Sequence, residues 1–285
     1  MIEYIKACLY GIIEGITEWL PISSTGHLIL FGNLLKLDIG GSAEFGEQYR
    51  SAFDVVIQLG AILAVVFLYF GRLSPFGKNK KDKKTTLSLW SNLLLATLPA
   101  GVMGLIADTL CDRIIGKSLE SLLFTPAVVA SALIVYGILF IIVERLTAKE
   151  DSCRSDITPK TALAIGCFQA LAIIPGTSRS GATILGARIL GVSRKSAAEF
   201  SFLAALPIIS AASLLKIFDL FSYISHSGEA FGANALLILL TAGSVAFFVS
   251  LAVIRFLSDF VKKHSFVTFG IYRIALGVAV LLFML

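Results

Sequence analysis

The chain has 285 residues, of which 56% are hydrophobic and only 15% are charged. A water-soluble fold could not bury so large an apolar share, so this balance excludes an ordinary soluble domain. The formal net charge of +5 does not indicate a nucleic-acid partner, because the basic residues gather in short loops between apolar segments.

The first segment, residues 3–34, is apolar but is broken near its middle by Pro21 and by neighbouring serine, threonine and glycine residues. It has no basic leader followed by a cleavage site, so we expect no removable signal peptide. A second stretch, residues 161–190, is broken in the same way around Pro175.

Six uninterrupted apolar windows make up most of the remaining chain, and each is long enough to cross roughly 30 Å of hydrocarbon as a helix. They cover residues 52–70, 90–107, 123–143, 198–218, 235–256 and 266–285. Basic residues concentrate in the connections 71–89, 144–160, 191–197 and 262–263, which we therefore place in the cytoplasm. The connections 32–51, 108–122 and 221–234 then face outward.

The two halves of the chain show a weak internal repeat. An offset of about 155 residues sets Glu14 on Gln169 and, after a one-residue slip, Ser24 on Ser178. Each half then holds one broken segment and three full spans. An odd number of spans gives the halves opposite orientations, which is an inverted-topology repeat.

We therefore predict a single all-α membrane domain of six transmembrane helices and two re-entrant helical hairpins. The first repeat is 1–150 and the second is 151–285. Irregular backbone at membrane depth must be buried in protein or line a polar cavity, so the hairpins should meet at an internal site.

The first broken segment carries acids and a potential nucleophile in residues 14–27. Glu14 and Glu18 are four residues apart and share one helix face. Ser24 and His27 are three apart, which should bring a hydroxyl and an imidazole to one side of the next helix. An ionised group at bilayer depth costs about 2.5–3.5 kcal/mol, so this set indicates function. Two adjacent carboxylates would repel an anion unless Mg²⁺ or Ca²⁺ lies between, so we assign Glu14 and Glu18 as metal ligands.

The second broken segment carries donors in residues 175–183. Its glycines allow close approach to a ligand, the following helix begins with free N–H groups, and Arg179 offers a charged fork for phosphate oxygens. The predicted substrate-binding residues of the two segments are Ser23, Thr25, Gly176, Thr177, Ser178, Ser180 and Thr183.

Acids with a nucleophile on one segment and an anion cradle on the other favour cleavage of a phosphoester or phosphoanhydride. The competing hypothesis is a transporter or lipid flippase, because broken helices and inverted repeats are also typical of carriers. Asp54 and Gln58 fit either the same cavity or the membrane interface, and Glu144 is expected at the interface.

Residues 14–27 and 175–183 resemble the two hallmark segments of the bacitracin-resistance family of undecaprenyl-diphosphate phosphatases; only Trp19 departs from them, replacing a phenylalanine. The resemblance implies hydrolysis of undecaprenyl diphosphate to the monophosphate, which recycles the lipid carrier for peptidoglycan synthesis and confers bacitracin resistance. It also implies a multi-pass protein of the bacterial plasma (inner) membrane, with six spans, two re-entrant hairpins and a site open to the outer face. The essential residues that it implies are Glu14, Glu18, Ser23, Ser24, His27, Ser178 and Arg179.

The mechanism that we expect has Ser24 attack the terminal phosphorus while His27 takes its proton and Arg179 and a cation neutralise charge. His27 as nucleophile or as activator of water stays open. The acid-phosphatase-like lipid phosphatases are a distant alternative, because they use two histidines where only His27 lies in a motif here. The expected partners are a polyprenyl diphosphate and membrane lipids, with no nucleic acid; a homodimer is compatible with the sequence.

Overall fold

A computed structural model describes residues 1–32, 37–39, 42–76, 80–116, 119–147, 153–227 and 231–284. Within these ranges the chain forms eleven α-helices and a short 3-10 turn at Leu171–Ile173. The helices are α1 Ile2–Thr17, α2 Ser24–Gly32, α3 Ala43–Leu73, α4 Lys80–Ile115, α5 Leu119–Leu123, α6 Pro126–Leu146, α7 Pro159–Ala170, α8 Arg179–Ile189, α9 Arg194–Ser227, α10 Ala233–Phe260 and α11 Val267–Met284.

Six of these helices, α3, α4, α6, α9, α10 and α11, are long and apolar enough to cross a membrane. The predicted number of spans is therefore confirmed for the described residues. The helices extend beyond the predicted windows: α3 already begins at Ala43, where Ser42 caps it by accepting a hydrogen bond from the Phe45 N–H. Hydropathy reports only the part of a helix that lies in the hydrocarbon, so it does not predict the polar ends of these helices.

Both broken segments have a helix–turn–helix form. The first turn separates α1 from α2 and contains Pro21, and the second separates α7 from α8 and contains Pro175. Proline lacks an N–H and restricts the residue before it, which accounts for the helix ending ahead of each turn.

The helices that follow the two turns begin with the same cap. Ser23 and Ser178 have positive φ values of 75° and 69°, and their hydroxyls accept from the N–H groups of Gly26 and Gly181. A positive φ is uncommon outside glycine, so a matched pair is informative. In cap geometry Ser178 therefore matches Ser23, whereas the sequence alignment of the two halves paired it with Ser24 after a one-residue slip.

Helix packing buries residues 21–23 of the first turn and residues 175–177 of the second, whereas Leu171 and Ile174 stay exposed. Helix α1 packs along α10, α7 packs along α4, α3 packs on α9 and α10, and α6 packs on α11. A Cβ at Gly11 would collide with the Ala242 carbonyl, and one at Gly166 with the Ala96 carbonyl. Small residues therefore allow α1 and α7 to approach their partners closely, as is common between membrane helices.

Glu144, near the end of α6, is buried among other side chains, which the sequence did not predict. Its two oxygens accept from Arg188 Nε at 2.8 Å and from Arg194 Nε at 2.6 Å, and the Arg188 side chain is fully buried. Arg188 also donates to the carbonyls of Thr147 and Val192. The cluster ties the end of α6 to α8 and α9.

Candidate active site

An ion pair joins the two broken segments. Arg179 Nη2 lies 2.8 Å from Glu18 Oε1, and both side chains are nearly buried, with 12% and 8% exposed. Arg179 Nη1 donates to the Ser201 carbonyl at 2.6 Å, and the guanidinium carbon lies 5.9 Å from the centre of the Trp19 ring. Because these two hydrogen bonds start from separate nitrogens, they fix the orientation of the planar guanidinium. The structure thus brings the predicted acid and the predicted arginine together.

The Glu18 carboxylate also holds the candidate nucleophile. Ser24 Oγ donates to Glu18 Oε2 at 3.1 Å, so one carboxylate binds Arg179 through one oxygen and Ser24 through the other. Ser24 is the first residue of α2, immediately after the Ser23 cap, and this position points its hydroxyl back toward the end of α1.

His27 makes its hydrogen bonds elsewhere. Its Nδ1 lies 2.7 Å from the Ser23 carbonyl oxygen, and its Nε2 lies 2.7 Å from the Tyr272 hydroxyl. Within the described part of the chain no hydrogen bond joins His27 to Ser24. The expectation that the hydroxyl and the imidazole face one side is therefore not matched by a direct bond, because Glu18 lies within reach of Ser24.

A cavity of about 260 Å³ opens between these residues. The predicted residues that line it are Glu18, Ser24, Thr25, Gly176, Ser178 and Arg179. Gln58 also lines it, which places this residue at the cavity rather than at the interface.

Other predicted residues lie behind the cavity wall. The side chains of Ser23, Thr177, Ser180 and Thr183 are buried, and Thr183 Oγ1 lies 2.7 Å from Ser201 Oγ. Ser180 Oγ donates to the Leu20 carbonyl at 3.3 Å, which links the second turn to the first. In this arrangement these four residues support the turns rather than line the cavity.

Arg273 of α11 is a functional candidate that sequence reasoning missed. It is fully buried, and its Nη1 donates to the Pro21 carbonyl at 3.2 Å while its Nη2 donates to the carbonyls of Gly176 and Thr177 at 2.7 and 2.9 Å. One guanidinium therefore fastens both turns. An arginine inside an apolar window was the available signal, because such a charge normally marks function.

Glu14 is the second predicted metal ligand, and it is fully buried. No basic side chain hydrogen-bonds its oxygens among the described residues, and the acidic side chains of Glu18 and Asp54 lie nearby. A buried carboxylate with acidic neighbours requires a proton or a cation. The described residues contain no cluster of three metal-ligating side chains, so a cation here would take further ligands from phosphate and water, as Mg²⁺ commonly does.

The fold and the site define a polytopic helical membrane protein with an acid–arginine site between two broken segments. The family model of the bacitracin resistance protein BacA matches residues 7–279, and the chain belongs to this family. The resemblance seen in the sequence is thereby confirmed.

Curated relatives cover nearly the whole chain. An undecaprenyl-diphosphatase of Enterococcus faecalis is 49% identical over 95% of this chain and 94% of its own. Undecaprenyl-diphosphatase 1 of Clostridioides difficile is 46% identical over 99% of this chain and 96% of its own. An undecaprenyl-diphosphatase of Acetivibrio thermocellus is 48% identical over 100% of this chain and 99% of its own.

Proposed function

We infer that the protein hydrolyses undecaprenyl diphosphate to undecaprenyl phosphate and inorganic phosphate, recycles the carrier for cell-wall polymers, and confers bacitracin resistance. The family and its near-full-length relatives support this activity. The observation that carries it in the structure is the Glu18 carboxylate held between Arg179 and Ser24 across the two motifs.

Binding of the diphosphate uses the charge of Arg179. Its guanidinium presents donors on a rigid fork that suits phosphate oxygens, and in the free protein Glu18 occupies one arm of that fork. An incoming phosphate competes with Glu18 for this arm. Phosphoryl transfer requires mainly positioning and charge neutralisation, which the arginine supplies.

The chemical step begins at Ser24. Its oxygen forms a bond to the terminal phosphorus, the bond from phosphorus to the bridging oxygen breaks, and undecaprenyl phosphate leaves. The hydrogen bond from Ser24 Oγ to Glu18 Oε2 supports this carboxylate as the first acceptor of the serine proton. Water then cleaves the phosphoserine and releases inorganic phosphate.

His27 remains the rival nucleophile. A phosphoenzyme trapped by rapid quenching distinguishes the two residues, because phosphoserine survives acid and phosphohistidine does not. An acid-labile adduct that is absent from His27→Ala would replace Ser24 in this scheme.

A divalent cation, Mg²⁺ or Ca²⁺, completes the proposal. Glu14 and Glu18 would hold it, and when bound it would neutralise diphosphate charge. The burial of Glu14 beside the Glu18 carboxylate supports this assignment, because two adjacent carboxylates repel each other unless a proton or a cation lies between them.

The topology that fits this chemistry is an inverted repeat in which both broken segments are re-entrant and the site opens to the outer face. Two observations support the repeat. Ser23 and Ser178 form the same cap, and α1 of the first half packs on α10 of the second as α7 of the second half packs on α4 of the first.

The assignment of residues 262–263 to the cytoplasmic side is testable. In a variant without the four native cysteines, a cysteine at Lys263 should react with an impermeant maleimide only after the membrane is permeabilised.

The prenyl chain has a candidate path beside the site. An apolar cavity of about 720 Å³ is lined by Leu59 and Pro207, whose chain neighbours Gln58 and Ile208 line the site cavity. Ser210 also lines the apolar cavity. Ser210→Trp should slow hydrolysis of undecaprenyl diphosphate more than that of farnesyl diphosphate, since only the long chain needs the whole path.

The activity is tested by phosphate release from undecaprenyl diphosphate by purified protein in detergent. Wild type should release phosphate, whereas folded Glu18→Gln, His27→Ala and Arg179→Ala variants should lose most of the activity. Tight binding of substrate that stays intact would support the carrier hypothesis instead. Full activity in all three variants would remove this site from the reaction.

A further inference from the structure

The hydrogen bonds of His27 define its tautomer. A carbonyl oxygen only accepts, so the 2.7 Å contact with the Ser23 carbonyl requires that Nδ1 carry the proton. In the neutral ring Nε2 is then the acceptor. The Tyr272 hydroxyl, 2.7 Å away, therefore donates to Nε2.

Tyr272 is held in place by its neighbour. Arg273 follows it on α11 and is fastened to the carbonyls of both turns, so the helix cannot shift without breaking three hydrogen bonds. The Tyr272 and His27 rings are almost parallel, with 5° between their planes and 5.7 Å between their centres. His27 is 6% exposed and Tyr272 is 44% exposed, so the imidazole is the buried member of this pair.

The basic nitrogen of His27 thus faces Tyr272 and not the candidate nucleophile. Ser24 donates to Glu18, and Ser23 occupies the other imidazole nitrogen. Any proton that His27 accepts at Nε2 must arrive where the Tyr272 hydroxyl now lies.

We propose that Tyr272 is a positioning residue for His27, which fixes the Nδ1–H tautomer and the ring orientation for proton transfer during diphosphate hydrolysis. The proposal rests on the proposed function and takes His27 as the residue that accepts a proton from the water that cleaves the phosphoserine, the role that the sequence analysis left open. A hydroxyl donates to the neutral ring and, after rotation, accepts from the Nε2–H of the charged ring. Tyr272 therefore supports His27 in both protonation states.

The test compares Tyr272→Phe with Tyr4→Phe. Both variants lose one hydroxyl and one hydrogen bond, but the Tyr4 hydroxyl donates to Asn234 Oδ1 at the surface. Tyr272→Phe should lower kcat roughly tenfold, the effect of losing one aligned hydrogen bond, and leave KM within about twofold. Tyr4→Phe should match the wild type.

A second readout follows the imidazole directly. The chain has only three histidines, so ¹⁵N-histidine spectra of the membrane-embedded protein can be assigned with His27→Ala. The wild-type spectrum should show His27 as the Nδ1–H tautomer, with the ¹⁵N chemical shift of Nε2 displaced by its hydrogen bond. In Tyr272→Phe this displacement of the Nε2 chemical shift should disappear.

The outcomes separate this proposal from the proposed function. Unchanged kcat and unchanged His27 signals in Tyr272→Phe would overturn the positioning role while wild-type hydrolysis stands. A raised KM with unchanged kcat would also overturn it, because Tyr272 would then bind substrate directly. A wild type that releases no phosphate would refute the function, whereas the spectra would still test the hydrogen bond.

Discussion

Replacing Arg179 by lysine keeps the positive charge but removes the fork, and the structure sets the size of the effect. The guanidinium bonds Glu18 from one nitrogen and the Ser201 carbonyl from the other, at 2.8 and 2.6 Å. A single ammonium can reach one of these partners. Losing one charge-assisted bond costs about 1.5–3 kcal/mol, so kcat/KM for undecaprenyl diphosphate should fall roughly 10- to 150-fold.

The matched control is Arg194→Lys. Arg194 bonds the buried Glu144 at 2.6 Å outside the site, so the same substitution should leave kcat/KM within about twofold. The double variant Glu18→Gln, Arg179→Lys should lose less kcat/KM than the two single losses predict when their free energies are added. The reason is that the two side chains form one contact. Wild-type kcat/KM in Arg179→Lys, or an equal loss in Arg194→Lys, would refute the reasoning.

Three further predictions concern the supports of the site. Arg273→Met should lower the thermal unfolding midpoint in detergent, because three buried carbonyls lose their donor at about 1–3 kcal/mol each; an unchanged midpoint would contradict the fastening role. Gly176→Ala should abolish activity and reduce folded yield, since φ is 92° and the new Cβ would lie 2.5 Å from a carbonyl of α6. Gly191→Ala, with φ of 77° but open space around the Cβ, controls for backbone strain alone. A chelator should stop phosphate release, and added Mg²⁺ or Ca²⁺ should restore it. Glu14→Gln should need a higher cation concentration than the wild type for this recovery, whereas Glu3→Gln on the same helix should not. Activity that survives exhaustive chelation would refute the cation site.

The residues that meet at the candidate site were predictable because each of the two motifs is contiguous in sequence. Glu18, Ser24 and Arg179 were identified from residue type and spacing, and the structure brings them into contact. Among the described residues Ser24 donates to Glu18, and His27 bonds Ser23 and Tyr272 instead of Ser24. Helical spacing gives a shared face, but it does not reveal that a carboxylate from the preceding turn lies closer.

By itself the sequence determined the membrane environment, the number of spans and the two breaks. These properties depend on local hydrophobicity and on proline, which act over one or two helical turns. The acids, hydroxyls and arginine of the candidate site are likewise read from two short segments.

Only the tertiary structure decided what completes the site. Tyr272 and Arg273 lie 245 and 252 residues from their partners His27 and Pro21. Their window in α11 is apolar all around, so periodicity could not show which face meets the turns. The packing of α11 on α6 determines which face meets the turns. The buried guanidinium of Arg273 also requires hydrogen-bond acceptors, and the carbonyls of the two broken segments supply them.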